Sequence, residues 1–120
     1  MYIIQKEFSF EASHQLRGLP EGHSCSRLDG HSYRIRLVLR SDTLDQRGFV
    51  VDYGDLKDFG QLVQDKLDHR HLNDLLDQPS AENIAQWLFA SCVAAFPWAR
   101  KFLQAVRVSE TRKTWAEYRP

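Results

Sequence analysis

Polar and apolar residues alternate at the start of the chain, and this pattern constrains the fold more than any other. From Tyr2 to His14 one parity carries a row of largely apolar residues, interrupted only by Lys6: Tyr2, Ile4, Phe8, Phe10, Ala12 and His14. The opposite parity carries Gln5, Glu7, Ser9, Glu11 and Ser13. A period of two predicts a β-strand with one buried face.

A second alternating segment runs from about Asp29 to Arg40. Its apolar parity holds His31, Tyr33, Ile35, Leu37 and Leu39, and its polar parity holds Ser32, Arg34, Arg36 and Arg40. Residues 17–27, between the two strands, contain two glycines and a proline and read as a loop. The first half of the chain therefore predicts two neighbouring strands joined by a loop.

In the rest of the chain, two segments with the helical spacing of apolar residues lie between extended segments. It predicts, in order, a short strand from Phe49 to Tyr53, a helix capped by Asp55 and reaching about Leu67, a helix from Ser80 stopped by Pro97, and extended segments over Phe102 to Glu110 and Thr114 to Tyr118. This order predicts an α+β fold with a small antiparallel sheet and two helices packed on one face. Without a repeat or linker, residues 1–120 read as a single domain.

The charge balance argues against one broad class of function. The chain has 120 residues with 16 Lys and Arg against 16 Asp and Glu, whereas general nucleic-acid binders are usually basic. No apolar stretch approaches the ~20 residues of a membrane helix. Charged residues appear at Lys6 and Glu7, before an apolar segment of the length that a signal peptide needs. We therefore expect a cytoplasmic protein that binds neither nucleic acid nor membrane. A domain this small is often helped by oligomerisation.

Strand parity places potential metal ligands together. His14 ends one strand and His31 begins the next, both on the apolar face, and Asp29 falls on the same side two residues earlier. The end of one antiparallel strand lies beside the start of the next, so the three side chains can converge. Imidazole and carboxylate both bind zinc, and three protein ligands leave one position open. Hydrogen-bonded core histidines, or a site for iron, manganese or nickel, stay open as alternatives.

Other reactive side chains each have two interpretations. Cys25 would ionise more easily near a cation and act as base or nucleophile, or it is an inert thiol. Asp68 and His69 form either a proton shuttle or a polar helix end. Glu110, on the apolar face of a strand, suits the paired N–H donors of a heterocycle, or it makes a salt bridge. Cys92 lies in an apolar helical stretch and is interpreted as a core residue.

Six short motifs follow one another along almost the whole chain. They are FEASH at 10–14, CSRLDGH at 25–31, VDYGDLK at 51–57, LDHRHLN at 67–73, PSAEN at 79–83 and VSET at 108–111. Together they resemble the 6-pyruvoyltetrahydropterin synthase family. The three-residue spacer after Cys25 is similar to the branch of that family formed by the 6-carboxytetrahydropterin synthases of queuosine biosynthesis.

The resemblance implies a tunnelling fold that assembles as trimers paired into homohexamers. It implies a lyase that converts 7,8-dihydroneopterin triphosphate to 6-carboxy-5,6,7,8-tetrahydropterin, acetaldehyde and triphosphate. It also implies one Zn²⁺ per subunit. Carried over by position, the roles are zinc binding for His14, Asp29 and His31, proton removal by Cys25, a second proton relay by Asp68 and His69, and substrate binding by Glu110 and Ser80.

One departure from the family pattern concerns the metal. The family motif reads His-Gly-His, whereas this chain has Asp29 at the first of these positions. Either the metal lies closer to residue 29, or a water intervenes, or His23 supplies the missing ligand. A milder departure is Ala81, where a pterin-contacting hydroxyl is expected. The alternatives are a pyruvoyl-type synthase, side-chain cleavage to a 6-hydroxymethyl pterin, or a non-catalytic pterin- or metal-binding paralogue.

Overall fold

A five-stranded sheet organises the chain, in a computed structural model that describes residues 1–23 and 29–120, with Asp29 described by its backbone alone. The strands are β1 (Tyr2–His14), β2 (Asp29–Ser41), β3 (Arg70–His71), β4 (Leu103–Ser109) and β5 (Ala116–Tyr118), and the helices are α1 (Lys57–Lys66), α2 (Ala81–Ala95) and α3 (Pro97–Phe102). Short 3₁₀ turns cover Tyr53–Leu56 and Leu72–Asp74. The strand order across the sheet is β3-β1-β2-β4-β5.

The pairing of β1 with β2 confirms the alternation read from the sequence. The two strands are antiparallel and stay in register from Tyr2 opposite Ser41 to His14 opposite Asp29. Residues directly opposite each other project to the same face of a sheet. The same register sets Ala12 opposite His31, so the two histidines are diagonal neighbours on the apolar face.

The core lies between that face and the helices. α1 contributes Phe59 and Val63, and the buried face of α2 contributes Ile84, Ala85, Leu88, Phe89 and Cys92. These side chains form one cluster with Tyr33, Ile35, Leu37, Leu39, Val106 and Val108 of the sheet. Burying each large apolar side chain contributes roughly 1.5–3 kcal/mol. Within residues 1–23 and 29–120, no helix combines the length and apolar character needed to cross a bilayer.

The predicted strand at Phe49–Tyr53 is wrong, because carboxylates fold that segment into turns. Asp45 accepts hydrogen bonds from the backbone N–H groups of Arg47 and Phe49. The predicted cap at Asp55 is also wrong: Asp52 accepts from the N–H of Gly54 and caps the 3₁₀ turn before α1. Such local carboxylate bonds compete with a strand ladder.

The cap of α2 is confirmed, whereas its end differs from the prediction. Ser80 accepts a hydrogen bond from the N–H of Asn83. α2 ends at Ala95, but Pro97 then begins the short α3, since a first helical position needs no N–H donor. The chain therefore has a third helix. The sheet is also not wholly antiparallel, because β3 adds parallel to the edge of β1.

Burial of Cys92 predicts a protected thiol. The side chain is fully buried, and burial raises its pKa to about 12. The reactive form is the thiolate, and an unfolded cysteine has a pKa of about 8.5. In a Cys25→Ala variant, where Cys92 is the remaining thiol, we expect negligible reaction with Ellman's reagent at about pH 8 until urea unfolds the chain. Equal labelling rates with and without urea would contradict this.

Candidate active site

Three potential metal ligands meet at one end of the sheet. The side chains of His14, His31 and Glu110 bring one ligand atom each to within 4.8 Å of one another. The imidazole rings of His14 and His31 pack edge to face, with centroids 4.9 Å apart. Glu110 joins them because Ser109, the last residue of β4, pairs with Arg34 of β2. The next residue therefore enters the same end of the sheet.

His14 is held in a defined orientation. Its ring is buried, and Nδ1 donates a hydrogen bond to the carbonyl oxygen of Pro79 at 3.0 Å. Because a carbonyl can only accept, the neutral ring carries its lone pair on Nε2. A metal-binding histidine is typically fixed in this way, through a bond from its other ring nitrogen.

The free lone pair of His14 faces a carboxylate. Nε2 lies 3.5 Å from Oε2 of Glu110, and neither atom has a hydrogen-bond partner among the described residues. Two buried acceptors repel each other unless a proton or a cation lies between them, and leaving both unsatisfied is costly. Two imidazole nitrogens and a carboxylate oxygen are a donor set that zinc accepts. The group therefore fits a metal ion.

The side chain of Asp29, the predicted third ligand, lies outside the described structure. The backbone of Asp29 pairs with His14. Metal binding by Asp29 stays a prediction. His23, the suggested replacement, does not belong to the ligand group found among the described residues.

Asp68 and His69 form a hydrogen-bonded pair at the outer edge of β1. Nδ1 of His69 donates to Oδ2 of Asp68 at 2.8 Å, which leaves Nε2 of a mostly exposed ring for proton exchange. Oδ1 of Asp68 accepts the N–H of Glu11 at 2.9 Å. This backbone bond and then the bond from His69 lower the pKa of the Asp68 carboxyl. The arrangement holds the ring as a proton relay requires.

One cavity of about 370 Å³ is lined by His31 of the candidate metal group and by His69 of the Asp68–His69 pair. Arg70 and His71 also line it. Sequence reasoning missed His71, which shares a 3.0 Å hydrogen bond with Ser13. It also missed Pro79, although the position of Pro79 in the PSAEN motif was a signal. Both contacts depend on pairings between distant segments.

Two further predicted site residues stay untested. Cys25 lies outside the described residues, so its catalytic role stays a prediction. The hydroxyl of Ser80 caps α2, directly after the Pro79 carbonyl that orients His14. Its predicted contact with substrate is separate from that structural role.

Comparison with known proteins identifies the family. The model of the 6-pyruvoyl tetrahydropterin synthase family matches residues 3–120. The chain belongs to this family. It is 44% identical over 125 residues to the 6-carboxy-5,6,7,8-tetrahydropterin synthase of Synechocystis sp., covering 98% of this chain and 93% of the relative. It is also 34% identical over 80 residues to the dihydroneopterin monophosphate aldolase of Pyrococcus furiosus, covering 67% and 65%.

A solved structure confirms the predicted fold. The 6-pyruvoyl tetrahydropterin synthase of Caenorhabditis elegans superposes with a TM-score of 0.86 at 25% identity, covering 99% of this chain and 95% of that one. The predicted α+β tunnelling fold, with helices packed on a sheet, is therefore confirmed.

The lowered pKa of Asp68 predicts a pH-dependent stability difference. A carboxyl whose folded pKa lies below its ordinary value of 3.8 adds stability that is complete above that value and is lost as pH falls through the folded pKa. We expect Asp68→Asn to lower the urea midpoint by a constant amount between about pH 5 and 8, and by less towards about pH 3. Asp42→Asn, in an exposed turn, is the control. A penalty that grows on acidification would contradict this interpretation.

Proposed function

We propose that this chain is a cytosolic 6-carboxy-5,6,7,8-tetrahydropterin synthase. It would convert 7,8-dihydroneopterin triphosphate and water to 6-carboxytetrahydropterin, acetaldehyde and triphosphate. The observation that carries the proposal is a cavity lined both by His31 of the candidate metal group and by His69 of the candidate proton relay. The 44% identity to the Synechocystis enzyme over nearly the whole chain supports this substrate.

The proposed metal is one Zn²⁺ per subunit, held by His14 and His31 with Asp29 in third place. Zinc bound there supplies a Lewis acid that polarises the side-chain oxygens of the substrate. The buried Nε2 of His14, oriented by Pro79, supports a metal at this position. Glu110 and Ser80 are proposed to contact the substrate.

The proton transfers are proposed for residues on two segments. Cys25 would remove a carbon-bound proton from the substrate. His69 would move the second proton through Nε2, because Asp68 holds its Nδ1 at 2.8 Å. Asp68 is itself fixed by the backbone of Glu11, so the relay has a defined position at the strand edge.

Product analysis tests the reaction. We expect zinc-loaded protein to release acetaldehyde and 6-carboxytetrahydropterin from dihydroneopterin triphosphate, both identified by mass spectrometry. Cys25→Ala should lower turnover by roughly 10²-fold or more, the contribution typical of a general base, while zinc content stays unchanged. No conversion with zinc, manganese or iron would reject the proposed enzyme and favour a non-catalytic pterin- or metal-binding paralogue.

A second candidate reaction is cleavage of the pterin side chain. The 34% identity to the Pyrococcus aldolase favours it as the alternative. Cleavage would leave a 6-hydroxymethyl pterin and a hydroxylated two-carbon aldehyde in place of acetaldehyde. A pyruvoyl-type synthase would release no aldehyde, so the same product assay separates all three reactions.

We also propose that the chain forms a homo-oligomer, as trimers paired into hexamers, through the outer edge of β1. The N–H and C=O of Glu11 point to that edge, where they bond Asp68 and His69. Gln5 has the same parity as Glu11 in a strand with unbroken register, so its N–H and C=O also point to the outer edge of β1. Among the described strands, only β3 pairs with this edge, at Ala12 and Ser13. A long open edge is a template for another chain.

Exposed apolar side chains lie near the open part of this edge. Ile3 is 53% exposed and Tyr53 is 52% exposed, and both line one shallow cavity with Tyr2 and Phe49. Apolar surface of this kind is typical of a contact between copies.

Removal of one outward N–H tests the edge contact. Gln5→Pro deletes a donor that points away from β2, so β1–β2 pairing should survive while association weakens. By multi-angle light scattering, we expect the wild type and Gln5→Ala to share one oligomeric mass and Gln5→Pro to dissociate to smaller species. An unchanged mass for Gln5→Pro would exclude this edge.

A further inference from the structure

We propose that Glu110 is a direct ligand of the metal in the substrate-free protein and leaves it for the pterin when substrate binds. The family resemblance gives Glu110 a substrate contact alone. The structure instead groups its carboxylate with His14 and His31. The release step rests on the proposed function, whereas the metal contact does not.

The spacing of the two orphaned atoms fits two ligands of one ion. Nε2 of His14 and Oε2 of Glu110 are 3.5 Å apart. With zinc bonds of ~2.0–2.2 Å and tetrahedral angles, two ligand atoms lie roughly 3.4 Å apart. A direct hydrogen bond between them would be about 2.7–3.2 Å long. The observed distance therefore matches a shared cation better than a direct bond.

Burial favours the same conclusion. Oε2 of Glu110 is buried, and the whole side chain is 20% exposed. Among the described residues no lysine or arginine forms an ion pair with it. A buried carboxylate needs a compensating charge. A metal ion held by His14 and His31 supplies that charge where the carboxylate already points.

Glu110 cannot bind the metal through Oε2 and hold the pterin through both carboxylate oxygens at the same time. A bidentate contact with the paired N–H donors of a pterin uses both carboxylate oxygens. Oε2 cannot then remain beside Nε2 of His14 on the metal. Release of the carboxylate would also remove one negative charge from the coordination shell, which makes the ion a stronger Lewis acid when substrate is present.

Zinc affinity tests the metal contact without any turnover. In competition with a chromophoric chelator, we expect Glu110→Gln to weaken zinc binding by about tenfold or more, because losing even an outer-shell partner of a metal ligand costs roughly 10–100-fold. Glu7→Gln, the same charge change on the same sheet, should stay within about twofold of wild type. Without metal, the midpoint temperature of unfolding of Glu110→Gln should equal or exceed that of metal-free wild type, because the variant lacks a buried carboxylate without a partner. If that variant does not fold, Glu110→Asp replaces it, with an intermediate loss of affinity expected.

Cobalt spectra test the release. We expect unsubstituted pterin, which lacks the side-chain oxygens proposed to reach the metal, to change the visible bands of cobalt-loaded wild type and to leave those of cobalt-loaded Glu110→Gln unchanged. Wild-type zinc affinity in Glu110→Gln would overturn the metal contact, even if the enzyme turns over normally. Constant wild-type cobalt bands at saturating pterin would overturn the release. If Glu110→Gln loses zinc affinity while the wild type converts no substrate, the metal contact is supported and only the proposed function is rejected.

Discussion

The unbroken pairing of β1 with β2 is the constraint on which the rest of the structure depends. It makes His14 and His31 diagonal neighbours at the end of the sheet. It also alternates the backbone groups of β1, so that even-numbered residues bond β2 and Glu11 bonds Asp68 at the outer edge. A slip of β1 by one residue against β2 would put His14 and His31 on opposite faces of the sheet and would turn the outward backbone groups of β1 inward. The candidate metal group, the Asp68–His69 pair and the open edge of β1 therefore all depend on one register.

The site end of this pairing contains polar groups that a purely structural core would avoid. His14 is fully buried beside apolar residues, and its bond to Pro79 satisfies one ring nitrogen. The other nitrogen and Oε2 of Glu110 have no partner among the described residues. Each such orphan costs about 1–3 kcal/mol in a folded chain. The remainder of the core, from Ile35 to Val108, is apolar and offsets that cost.

Local sequence patterns predicted the elements that local forces decide. Strict alternation predicted both ends of β1 correctly. Ser80 predicted the start of α2, because its hydroxyl caps the first turn of that helix. Phe49–Tyr53 failed because an apolar run carries no sign of the Asp45 and Asp52 hydrogen bonds that bend it. β3 has two residues, too few for any period, and exists only because α1 returns the chain to the edge of β1.

The candidate site shows the same division between local and distant information. Parity within β1 and β2 is enough to bring His14 and His31 together. The position of Glu110 depends on how β4 pairs with β2, and the sequence contains no rule for that register. The sequence therefore placed this residue on the correct face without revealing its distance from the histidines.

Charge explains why the carboxylates matter for this site. Three neutral histidines would leave a zinc ion with its full double charge. Glu110 lowers that charge by one when it coordinates, and Asp29 would lower it again if its side chain also binds. With His14, His31 and both carboxylates the shell would have four protein ligands, the closed arrangement of structural zinc sites. Catalysis needs an open position, so one ligand must then be exchangeable. Glu110 is the ligand for which a competing partner, the amino edge of the pterin, is expected inside the same site.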